Sequence, residues 1–394
     1  MKRYHLMEVL RERYLELLRS AKGKTDLVKV ITGMRRSGKT TLMRQFRDTL
    51  GDSDNVIYLD LDYIDEDMDW HGLKERIHDG LSGNGIHYVF IDEIQDVDGW
   101  ERVVAEMIAR GDCDVYITGS SSKMLSSELA TKISGRYTEI KLYPLSFKEY
   151  MGLYPGDRYA RFEEYLRYGS LPVIEPSRGR ELCDNQLADV FNTVLVRDVL
   201  EHTGSRGVSK VVSVARFLFS NIGNVTNVDN ISRVTGLSGR TVGRYIRALT
   251  ESFLFYRVDR YDVVGKKLMS SHEKYYPVDT GLARAVLDRG VTDTSRPLEN
   301  IVFLELLRRG YRIRVGSFRD REVDFTAEMD GRVEYYQVCL TMLDNSTFER
   351  EVRSLRAIDD NYPKIILSLD YVVRDVPGGL IHRNVVEWLM DTKY

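Results

Sequence analysis

The sequence predicts an α/β fold class, with two sheet-containing units on either side of a mainly helical segment. Three observations predict it. A glycine-rich loop at 33–40 lies between an apolar strand and a helix, a second apolar strand at 86–93 ends in two acids, and helices alternate with strands again in the last third of the chain. Strands that alternate with helices form parallel sheets, whose buried strands are continuous apolar runs.

The glycine-rich loop has the complete pattern of a phosphate-binding loop. It reads Gly-Met-Arg-Arg-Ser-Gly-Lys-Thr, after the apolar run at 27–32 and before a helical pattern at 41–50. Backbone N–H groups of such a loop surround a β-phosphate, and the helix N-terminus adds partial positive charge. We expect Lys39 to reach the β- and γ-phosphates and the Thr40 hydroxyl to bind Mg²⁺. The predicted nucleotide-binding residues are Gly33, Met34, Arg35, Arg36, Ser37, Gly38, Lys39, Thr40 and Thr41.

The second apolar strand ends in the acids that a nucleoside triphosphatase needs. Residues 86–93 read Ile-His-Tyr-Val-Phe-Ile-Asp-Glu, which suits the core of a parallel sheet. Asp92 is predicted to hold Mg²⁺ through water, and Glu93 to orient and deprotonate the water that attacks the γ-phosphate. Taken alone, such a strand is often structural. Downstream of a phosphate loop, it favours hydrolysis of ATP over binding alone.

A third strand, at 114–118, ends in Gly-Ser-Ser-Ser. Ser120 is the candidate for a group that senses the γ-phosphate or the attacking water, and the alternative is a simple turn with a helix cap. Arg136, after Gly135, is a candidate to contact a γ-phosphate within one subunit or across a subunit interface. From spacing alone, a solvated surface arginine is an equal alternative.

These segments belong to a longer series of motifs that resembles a known family. The series is ITGMRRSGKTTL (31–42), VFIDEIQDVDGWE (89–101), ITGSSSKML (117–125), SGRYTEIKLYPLSFKEY (134–150), YGSLPVI (168–174), KYYPVDTGLA (274–283) and RPLENIVFLELLRRGY (296–311). In this order the chain resembles the prokaryotic AAA-family ATPases with a C-terminal domain of unknown function, made of a winged helix and a degenerate restriction-endonuclease-like domain. The resemblance implies a P-loop AAA-type ATPase core, with Ser120 and Arg136 as the candidates for sensor and arginine finger. If the chain forms a homo-oligomer, as AAA-type ATPases usually do, the resemblance implies that Arg136 acts on the neighbouring subunit.

Composition and pattern changes bound the domain organisation. The 394 residues leave room for two or three domains, and 43% hydrophobic with 30% charged residues is typical of a globular protein. We predict an ATPase domain at 1–145, a helical connector at 146–205, a winged-helix domain at 206–280 and a degenerate nuclease-like α/β domain at 281–394. Connector helices are expected at 147–153, 159–168 and 179–202.

The cysteine pattern, the apolar runs and the N-terminal segment of the sequence predict the cellular compartment. Cys113, Cys183 and Cys339 are odd in number and scattered, so we expect reduced thiols rather than disulfides or a metal cluster. No apolar run approaches about 18 residues, and the N-terminal segment has no signal sequence. We therefore expect a cytoplasmic protein with no membrane partner.

Residues 208–262 have the pattern of a winged helix-turn-helix. Helical periodicity at 208–222 and 228–235 precedes a turn at 236–238, a recognition helix at 239–251 and a wing strand at 253–259. Arg240, Arg244 and Arg247 share one face of that helix and could lie along DNA phosphates. The alternative is a solvated face on a packing module, and the net charge of −3 gives no global attraction to nucleic acid.

The last third, with a helix at 298–309 and strands at 311–315, 322–329 and 333–340, resembles the restriction-endonuclease-like fold. A further strand is predicted at 364–369 and a terminal helix at 382–390. Nucleases on this fold use an acid and then an acid-x-lysine pair to hold Mg²⁺ and activate water. Glu299 and Asp324 occupy the two acidic positions, but Gln337 and Cys339 replace the pair, so we expect no phosphodiester cleavage.

The sequence therefore predicts a Mg²⁺-dependent ATPase that acts as a nucleotide-driven switch on its C-terminal modules. The catalytic candidates are Lys39, Glu93, Ser120 and Arg136, the metal ligands are Thr40 and Asp92, and the DNA-binding candidates are Arg240, Arg244 and Arg247. The partners considered are ATP, DNA, an unknown protein and a second copy of the chain. The first alternative is an ATP-binding interaction or regulatory module without DNA contact, and the less favoured one is an ATP-dependent nuclease.

Overall fold

The structure is a computed structural model, and it describes residues 9–51, 55–63, 68–125, 133, 135–200, 207–263, 265, 267–269, 272–287, 295–318 and 321–391. The chain divides into two compact units. The first comprises Met1–Tyr143 with Glu251–Phe253, and the second comprises Pro144–Thr250 with Leu254–Tyr394.

The first unit is built on a five-stranded sheet. Its strands are β1 Val28–Thr32, β2 Asn55–Asp60, β3 His87–Asp92, β4 Cys113–Gly119 and β5 Tyr137–Lys141, and its helices are α1 Glu12–Ala21, α2 Lys39–Arg47, α3 Trp70–Gly80 and α4 Trp100–Arg110. The strand order is β2-β3-β4-β1-β5, and every pair is parallel. The carboxyl ends of β1, β3 and β4 therefore lie at one edge of the sheet.

The three central strands are apolar because both faces of the sheet are covered. Every residue of β1, β3 and β4 is buried. Along β3, Val89 and Ile91 enter a core with residues of α3 and α4, whereas Phe90 enters a second core with residues of α1 and α2. Continuous apolar runs are what parallel strands covered on both faces require.

The second unit begins with helices α5 Phe147–Leu153, α6 Arg158–Tyr168, α7 Arg180–Thr193, α8 Val208–Ser220, α9 Val228–Thr235 and α10 Gly239–Glu251. Helix α7 continues as a π-helical turn at Val194–Leu200, and the last two residues of the helix predicted at 179–202 lie outside the described residues. A capping box starts α5, because the Ser146 hydroxyl accepts from the Glu149 N–H and the Glu149 carboxylate accepts from the Ser146 N–H. Throughout the described parts of the chain, no helix combines the length and apolar character needed to traverse a bilayer.

Strands of the second unit form two sheets. They are β6 Phe255–Val258, β7 Arg260–Asp262, β8 Lys267–Leu268, β9 Lys274–Pro277, β10 Arg312–Phe318, β11 Arg321–Met329, β12 Arg332–Val338, β13 Lys364–Ser368 and β14 Leu380–Asn384. Four helices accompany them, α11 Leu282–Val286, α12 Ser295–Arg308, α13 Asn345–Arg356 and α14 Val385–Met390. Strand β6 pairs with β9, and the larger sheet has the order β14-β13-β12-β11-β10-β7-β8.

The larger sheet crosses the boundary predicted at 280/281. The β7–β8 hairpin lies within 206–280, yet β7 pairs in parallel with β10, with Val315 opposite Arg260. The terminal helix predicted from residue 382 needs correction, because 380–384 form β14 beside β13. Burial alternates along β14, which is the period of a strand, and the Asn384 side chain then caps α14 by accepting from the Glu387 N–H at 3.0 Å.

Buried Asp279 ties the motif at 168–174 to the motif at 274–283. Its carboxylate accepts from the Ser170 N–H at 2.6 Å and from the Gly281 N–H at 2.9 Å. Gly169 has a φ of +78°, and a Cβ there would lie 1.9 Å from Asp279 Oδ1, so only glycine fits. Burial raises the pKa of Asp279 to about 6, against the effect of these donors.

Candidate functional site

The phosphate loop joins the carboxyl end of β1 to the first residue of α2. Gly33 follows β1, and a Cβ there would lie 2.3 Å from the Leu142 carbonyl oxygen. Gly38 precedes α2 with a φ of +98°, a conformation that suits glycine. The Ser37 hydroxyl is buried and has no hydrogen-bond partner within the described ranges. The loop thus combines close backbone approach, a helix N-terminus and an unused buried hydroxyl, which together fit a phosphate.

Lys39 and Glu93 form a buried ion pair at this loop. Lys39 Nζ lies 3.1 Å from Glu93 Oε1 and donates to the Gly33 carbonyl at 3.2 Å. Burial opposes the charge on Glu93, but the Lys39 ammonium and then the Arg35 guanidinium outweigh it and hold the pKa of Glu93 below its ordinary value. Glu93 is therefore a carboxylate, the form that a general base needs.

Asp92 is held by hydroxyl groups. Thr118 Oγ1 donates to Asp92 Oδ1 and accepts from the Glu93 N–H at 2.9 Å, and the Tyr58 hydroxyl donates to Asp92 Oδ2 at 3.4 Å. Burial raises the pKa of Asp92, and hydrogen bonds from Thr118 and Thr40 oppose that shift. The Asp92 carboxylate and the Thr40 hydroxyl thus lie together, and two hard oxygen ligands of this kind suit Mg²⁺.

Glu93 also has an unusual backbone and a second partner. Its φ of +52° is uncommon for a residue other than glycine. It directly precedes a 3₁₀ turn at Ile94–Asp96. Within this turn, Gln95 Nε2 donates to Glu93 Oε2 at 2.7 Å. The two carboxylate oxygens of Glu93 therefore have different partners, Lys39 on one and Gln95 on the other.

The two remaining catalytic candidates lie at opposite edges of the sheet. Ser120 is buried and follows Gly119, whose partner in the sheet is Thr32, so Ser120 lies at the edge that carries the phosphate loop. The Arg136 carbonyl accepts from the Val28 N–H at 3.0 Å, at the start of β1. The five residues of β1 span roughly 16 Å, too far for the exposed side chain of Arg136 to bridge. The structure does not bring Arg136 to the phosphate loop of its own subunit.

The candidate DNA-binding arginines lie on the exposed face of α10. Arg240, Arg244 and Arg247 are exposed, and Val242, Ile246 and Leu249 of the same helix are buried. The helix therefore presents three guanidinium groups on the face opposite its core contacts.

In the second unit a lysine that the sequence analysis did not identify contacts the acids. Lys274 Nζ lies 2.5 Å from Glu322 Oε1 and 3.5 Å from Glu299 Oε1, and the Tyr276 hydroxyl donates to Glu299 at 2.5 Å. Burial opposes the charge on Lys274, but Glu299, Asp324 and Glu322 outweigh it and raise the pKa of Lys274. Glu299 and Glu322 are thus already paired with an ammonium group.

The neighbouring candidates Asp324 and Gln337 form hydrogen bonds with backbone groups of the sheet. Asp324 accepts from the Val338 N–H at 2.8 Å, and its own N–H donates to Gln337 Oε1 at 3.4 Å. Burial and then Glu299 raise the pKa of Asp324 well above its usual range. Burial also raises the pKa of the Cys339 thiol. Within the ranges that the structure describes, no three His, Cys, Asp or Glu side chains are grouped to hold a metal ion.

Three residues of these sites were missed from the sequence. Thr118 ends the predicted third strand, and a hydroxyl at the strand end beside Asp92 was the available signal. Gln95 lies inside the motif at 89–101, two residues after Glu93. Lys274 precedes Glu299 by 25 residues, so no local spacing connects them.

The chain matches two known protein families in part and aligns with two relatives over most of its length. Residues 25–151 match the family described as "AAA domain", and residues 159–293 match "Domain of unknown function (DUF8612)". An uncharacterized protein of Haemophilus influenzae is 35% identical over 97% of this chain and 98% of its own length. An uncharacterized protein of Methanocaldococcus jannaschii is 29% identical over 84% of this chain and 79% of its own length.

A likeness to solved structures is more limited. The Aeropyrum pernix ORC1 protein, solved in complex with DNA, aligns over 71% of this chain and 92% of its own, with 13% identity and a TM-score of 0.31. A likeness of this size carries no conclusion about this chain.

Proposed function

Because this chain belongs to the same protein family as the Haemophilus influenzae relative, and its residues 25–151 match an AAA domain, we propose that it is a Mg²⁺-dependent ATPase. One observation carries the proposal. The phosphate loop, Lys39, Asp92 and Glu93 lie together at the carboxyl edge of the parallel sheet, with Lys39 Nζ 3.1 Å from Glu93. This edge is where parallel α/β sheets bind ligands.

In the proposed reaction each residue has a distinct task. The loop from Gly33 to Thr41 binds phosphate oxygens through its N–H groups, and Lys39 places positive charge on the β- and γ-phosphates. Thr40 and Asp92 would hold Mg²⁺, which neutralises phosphate charge when bound. Glu93 accepts a proton from water as the water oxygen bonds to the γ-phosphorus. The bond from that phosphorus to the β–γ bridging oxygen breaks, and ADP and phosphate leave.

Phosphate release by the purified full-length protein tests this proposal. We expect turnover of ATP that needs Mg²⁺ and stops when the metal is chelated. The Glu93→Gln protein should bind ATP without turning it over. A wild-type protein that neither binds ATP in calorimetry nor releases phosphate would reject the assignment.

We further propose that the nucleotide state is passed on to the second unit. Arg11 is 3% exposed, and its guanidinium donates to the Ser37 carbonyl at 3.4 Å and to the Tyr143 carbonyl at 2.8 Å. Ser37 belongs to the phosphate loop, and Tyr143 is the last residue before the chain enters the second unit. A change in the loop on nucleotide binding therefore has a direct hydrogen-bonded path to residue 143.

DNA is the proposed partner of the second unit, and a protein is the alternative. Helices α8, α9 and α10 followed by the antiparallel pair β6–β9 support a winged-helix arrangement, and α10 carries the exposed arginines. The net charge of −3 argues the other way, because it supplies no general attraction to nucleic acid.

An electrophoretic titration with DNA at several salt concentrations, with and without ATP, separates the two partners. Replacing Arg240, Arg244 and Arg247 by alanine should flatten the dependence of affinity on salt by about one unit of slope per lost phosphate contact. Replacing Arg350, Arg353 and Arg356, which are exposed on α13, removes the same charge and is the matched control. Equal effects of the two triple variants, or no binding at all, would favour a protein partner, to be sought with the Glu93→Gln protein in its ATP-bound form.

A further inference from the structure

Gln95 lies where it can hold the proposed general base. Its Nε2 donates to Glu93 Oε2 at 2.7 Å and to Asp96 Oδ1 at 3.3 Å. Glu93 is buried, whereas Asp96 is exposed. A hydrogen bond to a buried carboxylate is charge-assisted and weakly screened, so the bond to Glu93 is the stronger of the two.

The other half of the Gln95 amide faces the end of the neighbouring strand. Gln95 Oε1 is buried and has no hydrogen-bond donor among the residues that the structure describes. A Cβ on Gly119 would lie 2.7 Å from this oxygen and 1.5 Å from Met124 Sδ, so the Gln95 and Met124 side chains both reach the carboxyl end of β4. The Gln95 amide therefore donates to Glu93 through Nε2, whereas its Oε1 acceptor is unused. That oxygen lies at the end of β4, from which the chain continues to Ser120.

Nucleotide in the loop is expected to change the partners of Glu93. Lys39 holds Glu93 Oε1 in this structure, but a phosphate in the loop competes for the same ammonium group. Once Lys39 turns to phosphate, the Gln95 amide is left on the other carboxylate oxygen. An acceptor beside that carboxylate can then take one hydrogen of a water whose other hydrogen points to Glu93.

We propose that Gln95 is a positioning residue of this ATPase: its Nε2 fixes the Glu93 carboxylate, and its Oε1 accepts a hydrogen bond from the attacking water. The inference rests on the ATPase function proposed above. In the reaction, one proton of the water passes to Glu93 and the other hydrogen stays on the oxygen that bonds to the γ-phosphorus. Gln95 gains and loses no proton.

Two substitutions test this role by separate readouts, ATP affinity by calorimetry and kcat by phosphate release. Gln95→Ala should lower kcat by roughly tenfold to a hundredfold, the range for a misplaced catalytic group, while the Kd for ATP stays within about twofold. Gln95→Glu keeps the size of the side chain but replaces the donor to Glu93 Oε2 by an acceptor, so it should lower kcat by a similar factor.

Asp96→Asn is the matched control, since it changes the second acceptor of the same amide, and it should leave kcat within about twofold of wild type. Wild-type kcat in Gln95→Ala, a Kd that rises in proportion to the loss, or an equal loss in Asp96→Asn would each overturn the inference. If Gln95→Ala lowers the melting temperature, the isosteric Gln95→Glu decides, because a Gln95→Glu protein with wild-type melting temperature and wild-type kcat would overturn the inference. If the wild-type protein does not turn over ATP, the proposal that it is an ATPase is rejected. If the wild type is active and Gln95→Ala is equally active, only the role of Gln95 is rejected.

Discussion

At the scale of single residues, the ion pair between Lys39 and Glu93 makes the proposed phosphate-binding cation and the proposed general base neutralise each other in the free protein. In the proposed ATPase, ATP would therefore compete with Glu93 for the Lys39 ammonium. Removing either partner leaves the other charge buried at the site, which is costly. The two substitutions should consequently have opposite effects on nucleotide affinity.

Lys39→Ala should weaken ATP binding by roughly 10²-fold or more, because it removes charge-assisted hydrogen bonds to the phosphates. It also leaves the buried Glu93 carboxylate facing the phosphates. Calorimetry measures the affinity, and Lys74→Ala, which removes a lysine from the surface of α3, is the control. Wild-type affinity in the Lys39→Ala protein would contradict the role of the loop.

Glu93→Gln should bind ATP at least as tightly as wild type, because Lys39 no longer has a competing carboxylate. Hydrolysis should fall by roughly 10²–10⁴, the usual contribution of a general base. Asp92→Asn should instead raise the Mg²⁺ concentration needed for half-maximal activity. Single-turnover assays over a Mg²⁺ series distinguish the two, and parental turnover by Glu93→Gln would show that another group is the base.

A residue of the site could be predicted from the sequence where the pattern that identifies it lies within a short stretch of the chain. Gly33, Lys39, Asp92 and Glu93 stand at fixed positions relative to strand ends, so a linear pattern reveals them. The hydrogen bonds of Thr118 and Gln95 depend instead on how β3 and β4 lie beside each other and on the positive φ of Glu93. Lys274 meets Glu299 only after strands distant in sequence have paired.

At the scale of elements, apolar runs predicted the central strands of the first sheet because burial on both faces leaves a continuous signal. Helix bounds in the second unit followed from periodicity, as at 228–235 and 239–251. Residues 382–384 of strand β14 are predicted as the start of a helix, because they lie directly before α14 and so short an alternating stretch overlaps a helical pattern. The pairing partner that makes it a strand, β13, is not visible in the local sequence.

The Asp279 tie between α6 and α11 should make stability depend on pH. The pKa of Asp279 is about 6 in the folded protein, above the value of about 3.9 for an unfolded chain. Its contribution to stability is therefore fully present below about pH 4 and is lost as the pH rises through about 6. The free energy of unfolding of wild type minus that of Asp279→Asn should fall by roughly 2–3 kcal/mol from pH 4 to pH 7.

Asp359→Asn, which changes an exposed aspartate in the same unit, is the control for that comparison. Thermal unfolding over the pH series gives both differences. A wild-type-minus-Asp279→Asn difference that stays flat from pH 4 to pH 7 would contradict the assignment.

At the scale of the whole molecule, the candidate role of Arg136 depends on assembly. Since its own phosphate loop is out of reach, Arg136 can act in the proposed ATPase only on a neighbouring subunit. Mixing inactive Arg136→Ala and Lys39→Ala proteins should then restore activity at composite sites, about one interface in four for random mixing in a ring. Light scattering must verify mixed oligomers, and no recovery in them would leave Arg136 a surface residue.

The second unit should show no nuclease activity with Mg²⁺ or Mn²⁺. The Lys274 ammonium group is already paired with the Glu299 and Glu322 carboxylates. Gln337 carries no charge, and Cys339 is a buried thiol rather than a lysine. Wild-type protein incubated with linear, circular and single-stranded DNA should leave all three intact. Cleavage that disappears on Asp324→Ala would place the protein among the nucleases.

The parallel pairing of β7 with β10 also decides how the chain can be cut into working pieces. A fragment that starts at residue 281 would leave the backbone groups along one side of β10 unpaired, and such an open edge invites self-association. It would also discard Lys274, so that Glu299 and Glu322 would face each other without their cation. A fragment that starts at Pro144 keeps both the hairpin and the lysine. We therefore expect the fragment from Pro144, and not the one from residue 281, to stay in solution without the first unit.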